Sequence, residues 1–213
     1  MESVVIVDYK AGNLTSVELA VLSVGGKPVV TGDPERVRKA ARVIFPGVGA
    51  APAAMEILER EGLAEALKEV YAAGKPILGI CLGAQIVLSE SEEGAVPCLN
   101  LLPGRTVRLN ARAVDGAPLK IPHMGWNAVE FVQEHPVVEG IPVGAEFYFV
   151  HSYFPSPGED SAILGRTEYG RPFTSALAVK NLVAVQFHPE KSGRWGLKFL
   201  ENFLAWKGDG RAK

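Results

Sequence analysis

A cysteine held between glycines after an apolar run can be a nucleophile or a core thiol. Residues 79–85 read Gly-Ile-Cys-Leu-Gly-Ala-Gln and directly follow Lys75-Pro76-Ile77-Leu78. Gly79-x-Cys81-x-Gly83 fits the strand–turn–helix elbow of acyl-transfer enzymes, with cysteine in the serine place. Such a turn strains the nucleophile's backbone, so its neighbours must be small. It also lifts the sulfur above the sheet edge. The helix expected from about Gly83 aims its first N–H groups at the thiolate and favours the charged form. A free cysteine is more often a bland packing residue, so Cys81 alone decides nothing.

A thiol nucleophile needs a base, and the base needs an orienter. The chain has four histidines, at 123, 135, 151 and 188. His188 is the best placed, since it ends the apolar run Leu182–Phe187 and stands two residues before Glu190. Glu190 is near enough in sequence to hold the imidazole and favour its charged form. The competing reading is a surface turn that happens to contain a histidine. His135 reads as a loop residue. The chain order Cys, His, Glu differs from the nucleophile, acid, histidine order of the α/β-hydrolases.

Acyl transfer also needs donors for an oxyanion. Phe45-Pro46-Gly47-Val48-Gly49-Ala50 ends another apolar run, and Val48 between two glycines lies on backbone that can approach a ligand and flip at little steric cost. The N–H of Leu82, next after the nucleophile, is the second candidate donor. Read as a dinucleotide loop, Gly47-x-Gly49 fails, because Pro52 stands where the third glycine belongs. Residues 88–94 bring several carboxylates behind the elbow, although an acidic helix end is usually only a solvated face. His151 and Tyr153, in Tyr-Phe-Val-His-Ser-Tyr (148–153), alternate to one side of a strand end, which edge-strand packing also explains.

The elements that must position these residues are legible as rhythm. Residues 4–7, 28–30, 42–45 and 76–80 are short β-branched or apolar runs. Between them lie helical patterns: one from Leu14 with Thr15 and Glu18 as a capping pair, one opened by Asp33-Pro34, and two over 51–60 and 62–73. This β-α-β-α alternation predicts an α/β fold with a mostly parallel sheet covered on both faces. Active crevices of such sheets lie at the carboxyl ends of strands, where Phe45–Gly47 and Ile80–Cys81 fall. The second half holds shorter strand patterns, including 146–153 and 182–188, which read as antiparallel additions. A last amphipathic helix spans 192–207, with Trp195, Phe199, Phe203 and Trp206 as core.

Composition excludes several classes. The 213 residues fit one large domain, with no repeat or linker. A net charge of −2 gives no electrostatic footprint for nucleic acid or an anionic membrane. No run approaches the ~20 apolar residues of a membrane span, and the start lacks the basic region of a signal peptide. Two cysteines make neither a disulfide framework nor a zinc site. A reducing cytoplasm is the expected compartment, and Cys98 is expected to be an ordinary buried cysteine.

With Cys81, His188 and Glu190 assembled, the chain resembles the class I (triad) glutamine amidotransferases over nearly its whole length, through Gly-Ile-Cys-Leu-Gly-Ala-Gln and Gln-Phe-His-Pro-Glu-Lys-Ser. Val-Asp-Tyr-Lys-Ala-Gly-Asn (7–13), Phe-Pro-Gly-Val-Gly-Ala, Pro-His-Met-Gly-Trp-Asn (122–127) and Tyr-Phe-Val-His-Ser-Tyr narrow the resemblance to glutaminase subunits of imidazole glycerol phosphate synthases. Glutaminases of anthranilate or pyridoxal phosphate synthases are not expected to carry His-Met-Gly-Trp-Asn. Lys10 departs from the pattern, which more often has a small residue there. The resemblance implies a flavodoxin-like glutaminase fold with a central, mostly parallel mixed sheet. It implies a heterodimer with a (β/α)8-barrel cyclase subunit, glutamine as substrate, and no cofactor or metal. It assigns Cys81 as nucleophile, His188 as proton carrier and Glu190 as its orienter, with oxyanion donors at Val48, Gly49 and Leu82. Gln85, Glu93, His151, Ser152 and Tyr153 match glutamine-holding positions. Asn13, Met124, Trp126, Tyr148 and Lys191 match positions facing the cyclase or the ammonia path. A non-catalytic scaffold relative, or a thiol hydrolase or redox sensor of similar fold, is the competing class. Neither class is expected to combine the elbow with the His-Pro-Glu strand end.

Overall fold

Alternate residues of the first strands enter two different cores. In the computed structural model, which describes residues 3–10, 14–110, 112–113 and 116–208, Val5 and Val7 pack on one side of the sheet while Val4 and Ile6 pack on the other. Val43 and Phe45 against Ile44, and Ile77 against Leu78, repeat the pattern. A pleated strand sends successive side chains to opposite faces, so a strand covered on both faces reads as one apolar run.

The first half alternates β1 (Ser3–Val7), α1 (Leu14–Ser23), β2 (Lys27–Thr31), α2 (Pro34–Lys39) and β3 (Val43–Gly47). It continues through α3 (Ala51–Arg60), α4 (Leu63–Ala72), β4 (Ile77–Cys81) and the short α5 (Leu82–Ile86). The second half supplies β5 (Glu90–Ser91), β6 (Val96–Pro97), β7 (Gly104–Arg108), β8 (His123–Ala128) and β9 (Glu130–Phe131). Then follow β10 (Glu146–His151), β11 (Tyr153–Pro157), β12 (Ile163–Glu168), β13 (Pro172–Val179), β14 (Leu182–Val185) and α6 (Gly193–Ala205). The main sheet has the order β2-β1-β3-β4-β14-β13-β12-β9. Residues of α2, α3, α4 and α5 join one core; residues of α1 and α6 join the other.

Three sequence expectations change. First, β14 is parallel to β4, with Val185 opposite Ile80, not an antiparallel addition. All four of its residues are buried, as in a strand covered on both faces. Its parallel course sends His188 out at the edge where Cys81 ends β4. Second, 146–153 is not one strand: β10 pairs with β8 in a two-stranded sheet, and β11 turns into a separate sheet with β7, β5 and β6. Third, α1 already begins at Leu14, so Thr15 lies inside its first turn and cannot cap it. Asn13 lies outside the described residues.

The antiparallel pairs β13–β14, β12–β13 and β12–β9 close one side of the main sheet as expected. On α6, Phe199, Phe203 and Trp206 at its end are buried, whereas Trp195 is only partly covered, with the Arg194 guanidinium 4.3 Å from its ring. Lys10 has φ 65°, a backbone conformation that favours glycine, and its N–H is held by Asp8 Oδ1 at 2.9 Å. No helix among the described residues is long and apolar enough to cross a membrane.

Candidate active site

Three parallel strands deliver the reactive segments to one edge. Gly47 at the end of β3 stands opposite Cys81 at the end of β4, and β14 beside β4 leads to His188. Cys81 takes φ 55° and ψ −108°, a strained conformation that costs an L residue of order 1–3 kcal/mol and tends to mark function. The turn is possible because Gly83 has no side chain. A Cβ there would overlap the Phe45 carbonyl oxygen, so α5 starts flush against β3.

Around the sulfur the contacts are few. Its S–H faces the Val150 carbonyl at 4.0 Å, and Gln186 Nε2 donates to Sγ at 3.6 Å. Gln186 is fully buried and was not singled out in the sequence. Its position two residues before His188, on the same extension of β14, is the signal that could have found it. Gln85 Nε2 donates to Gln186 Oε1 at 3.0 Å and to the Tyr153 carbonyl at 2.9 Å.

His188 Nδ1 meets Glu190 Oε1 at 2.8 Å, and both side chains are almost wholly buried. His188 Nε2 and Glu190 Oε2 have no hydrogen-bond partner among the described residues. Burial by itself depresses His188. The adjoining Cys81 and Glu190 outweigh burial and hold it up at about 9. Cys98 differs: it is half-buried, and burial together with Glu90 pushes its thiol up to about 11. It packs as a small hydrophobe, less buried than expected.

The crevice is a cavity of about 400 Å³ lined by Val48, Gly49, Cys81, Leu82, Gln85, Glu93, His151, Ser152, Tyr153 and His188, with Val150 and Pro122. That volume suits a small polar ligand. Glu93 Oε2 accepts from the Ala51 N–H at 2.8 Å. One carboxylate thus lines the pocket and caps α3, just after the Val48–Gly49 loop. Tyr9 is buried with its hydroxyl beside Gly47 and without a hydrogen-bond partner among the described residues, and burial and Cys81 push its phenol upward. Met124 and Trp126 stand on the outer side of β8 and are 61% and 54% exposed. Lys191 is exposed and Tyr148 half-buried, with the Trp126 and Tyr148 rings 6.2 Å apart. Among the described residues no group of three His, Cys, Asp or Glu could hold a metal ion.

Residues 5–206 match the family described as glutamine amidotransferase class-I. The chain belongs to this family. Among its amidotransferase relatives, the imidazole glycerol phosphate synthase subunit HisH of Aromatoleum aromaticum is 51% identical, over 97% of this chain and 99% of its own. The HisH subunit of Nitrosococcus oceani is 50% identical, over 98% of this chain and 99% of its own. Among solved structures, a PurLQS complex from Thermotoga maritima contains a chain of the same fold, with TM-score 0.73 at 18% identity over 96% of this chain and 99% of that one. A further glutamine amidotransferase structure matches with TM-score 0.71 at 19% identity, over 93% of this chain and 98% of that one.

The titrating histidines set opposite slopes of stability with pH. Burial lowers His123 to about 4 and His151 to about 3. Both stay neutral in the folded chain below pH 6.5, where the unfolded chain takes up protons, so their contribution is lost as pH falls. His188 is held at about 9, so its contribution is complete below 6.5 and is lost as pH rises through 9. Chemical denaturation from pH 5 to 9 is therefore expected to show greatest stability near pH 6.5. The alkaline decline, about one proton or ~1.4 kcal/mol per pH unit, should be shallower than the acid one. A Glu190→Gln variant should lose part of the alkaline decline, with Cys81 holding up the rest; an unchanged profile would detach it from His188.

Proposed function

We propose that this chain is the glutaminase subunit of an imidazole glycerol phosphate synthase, in histidine biosynthesis. The observation that carries the reading is the convergence of Cys81, His188 and Glu190 on one crevice, at the ends of adjacent parallel strands. The half-identity to HisH subunits over nearly full length supports it.

Each residue has a chemical task. Cys81 Sγ, its proton already transferred to the adjoining His188, attacks the side-chain carbonyl carbon of glutamine. His188 Nε2 has no hydrogen-bond partner among the described residues, while Glu190 holds Nδ1 and stabilises the imidazolium. N–H groups at Val48 or Gly49 and at Leu82 receive the oxyanion. His188 then gives its proton to the departing nitrogen, ammonia leaves, and a thioester remains on Cys81. Water, deprotonated by His188, attacks the thioester and releases glutamate. Glu93 takes the substrate ammonium, and backbone groups at 151–153 take its carboxylate. Gln85 fixes that wall through the Tyr153 carbonyl.

Ammonia must leave without meeting bulk water, so a partner has to cap the site. A (β/α)8-barrel cyclase subunit is that partner. There the nitrogen joins a ribulosyl intermediate to give imidazole glycerol phosphate and an aminoimidazole carboxamide ribonucleotide. Met124, Trp126, Tyr148 and Lys191 face it. The test is co-purification with the cyclase, followed by transfer of the label from amide-¹⁵N glutamine into imidazole glycerol phosphate while excess unlabelled ammonia is present. Dilution of the label to the bulk ratio would reject direct delivery, and failure to form a complex would reject the assignment.

A further inference from the structure

Strand β8 has two faces with different duties. Met124 and Trp126 point outward and are exposed, while His123 and Asn127, on alternate positions, point inward. His123 is buried in a box of aromatic rings, with Phe149 at 4.9 Å, Tyr169 at 4.1 Å and Phe173 at 5.8 Å between centroids. Its two nitrogens nevertheless both have polar partners.

The direction of each hydrogen bond in this cluster follows from its two ends. At the outer end the Asn127 amide is fixed, because Oδ1 accepts from the Ala128 N–H at 2.9 Å and Nδ2 donates to the Glu168 carbonyl at 2.9 Å. The second Nδ2 proton faces His123 Nε2 at 3.2 Å, which must accept it. His123 Nδ1 then carries the proton, and it faces His151 Nε2 at 2.9 Å. At the inner end His151 Nδ1 is 2.8 Å from the Tyr153 carbonyl, which can only accept. Both constraints give one answer: each ring is neutral, with its proton on Nδ1 and its Nε2 accepting. The Tyr153 carbonyl also accepts from Gln85 Nε2, and Gln85 leads through Gln186 to Cys81 Sγ. Both acceptor positions of that carbonyl are thereby used.

We propose that Asn127 and His123 are positioning residues for glutamine: the ordered series Asn127→His123→His151→Tyr153 fixes the His151 tautomer and ties the pocket wall at 151–153 to the strand whose outer face carries Met124 and Trp126. Displacing β8 from outside moves a donor that a buried acceptor requires, and an unpaired buried acceptor is costly. The wall must then follow the strand. The part concerning glutamine rests on the function proposed above; the part concerning the tautomers does not.

The other two histidines give distinct signatures. His135 Nδ1 accepts from the Val137 N–H at 3.2 Å, and His188 Nδ1 faces Glu190 Oε1 at 2.8 Å, where Cys81 and Glu190 outweigh burial and raise its titration to about 9. The experiment is ¹⁵N NMR of histidine-labelled full-length chain at pH 7, with His123→Phe as the variant that keeps an aromatic ring in the box and removes the donor. Two neutral imidazoles protonated at Nδ1 are expected, and one of the two disappears in His123→Phe. A proton on Nε2 of either ring, or a charged ring at 123 or 151, overturns the proposal whether or not the variant folds. In the complex, His123→Phe should raise KM for glutamine about tenfold and change kcat less than threefold. A folded variant with wild-type KM, or with its loss confined to kcat, also overturns it. A wild-type complex that hydrolyses no glutamine would instead reject the proposed function, and the tautomer result would still decide the ordered series.

Discussion

Cys81→Ala in the assembled enzyme is expected to lower glutaminase turnover by about 10⁴-fold or more. The sulfur is the one reacting atom that the elbow presents. Gln186, Val150 and His188 converge on it, and no other described thiol can take over. Cys98 is the only other cysteine. Its sulfur faces the Val96 carbonyl at 3.8 Å, and its high titration point leaves almost no thiolate at neutral pH. The remaining activity should reflect binding and oxyanion donors alone. Because the change removes a single atom from a position already strained by its backbone, the variant should fold and bind its partner. Glutamate release by the complex, together with labelling by a thiol-directed glutamine analogue, tests this. The analogue should mark Cys81 and spare Cys98. Turnover surviving in Cys81→Ala would rule out the thioester route, and labelling of neither cysteine would favour a non-catalytic scaffold.

The distance between sequence and structure here is mainly a matter of direction and of side-chain amides. Periodicity placed β1 to β4 and their helices because each strand is an unbroken apolar run between cap and turn signals. The same logic applies to Leu182–Val185, whose four buried residues mark a strand covered on both faces. The assumption that a second half of short strands is antiparallel overrode that signal. Pairing direction is set by which edge is vacant, and local sequence does not encode that. The corner at Ser152, where β10 gives way to β11 in another sheet, was hidden for a similar reason: nothing at 148–153 interrupts strand propensity. Gln186 and the Asn127–His123–His151 series were missed because polar residues inside a strand pattern look like defects until their partners are known. Apart from the Asn127–His123 contact four residues apart and the His151–Tyr153 contact two apart, those partners come from 28 to 105 residues away. The elbow was legible because its chemistry forces small residues two positions either side of the cysteine, at Gly79 and Gly83.

The isolated chain is expected to hydrolyse glutamine about 10²–10³-fold more slowly than its complex with the cyclase, the loss that one absent oxyanion donor causes. The loop that must supply this donor is built to move. Val48 is 40% exposed, and Gly49 has φ 100° with nothing within 4 Å of the position a Cβ would occupy. The space beside Gly49 is open among the described residues, whereas Ala51 just beyond it is tied to Glu93. The peptide can therefore rotate about a firm anchor, and partner and substrate contacts bias which face it turns to Cys81. Gly49→Ala separates this account from one based on crowding. The added methyl meets no neighbour, so its whole effect is the cost of positive φ, of order 1–2 kcal/mol for an L residue. If the active arrangement keeps the positive φ already present at 49, the cost falls equally on resting and active states, so the unfolding midpoint should drop while turnover of the complex stays close to wild type. If rotation takes Gly49 to negative φ, the same change should raise the activity of the isolated chain. Steady-state rates of both proteins, free and in complex, distinguish the two. Isolated wild-type chain as fast as the complex would show that the donor is already in place and that the partner only receives ammonia.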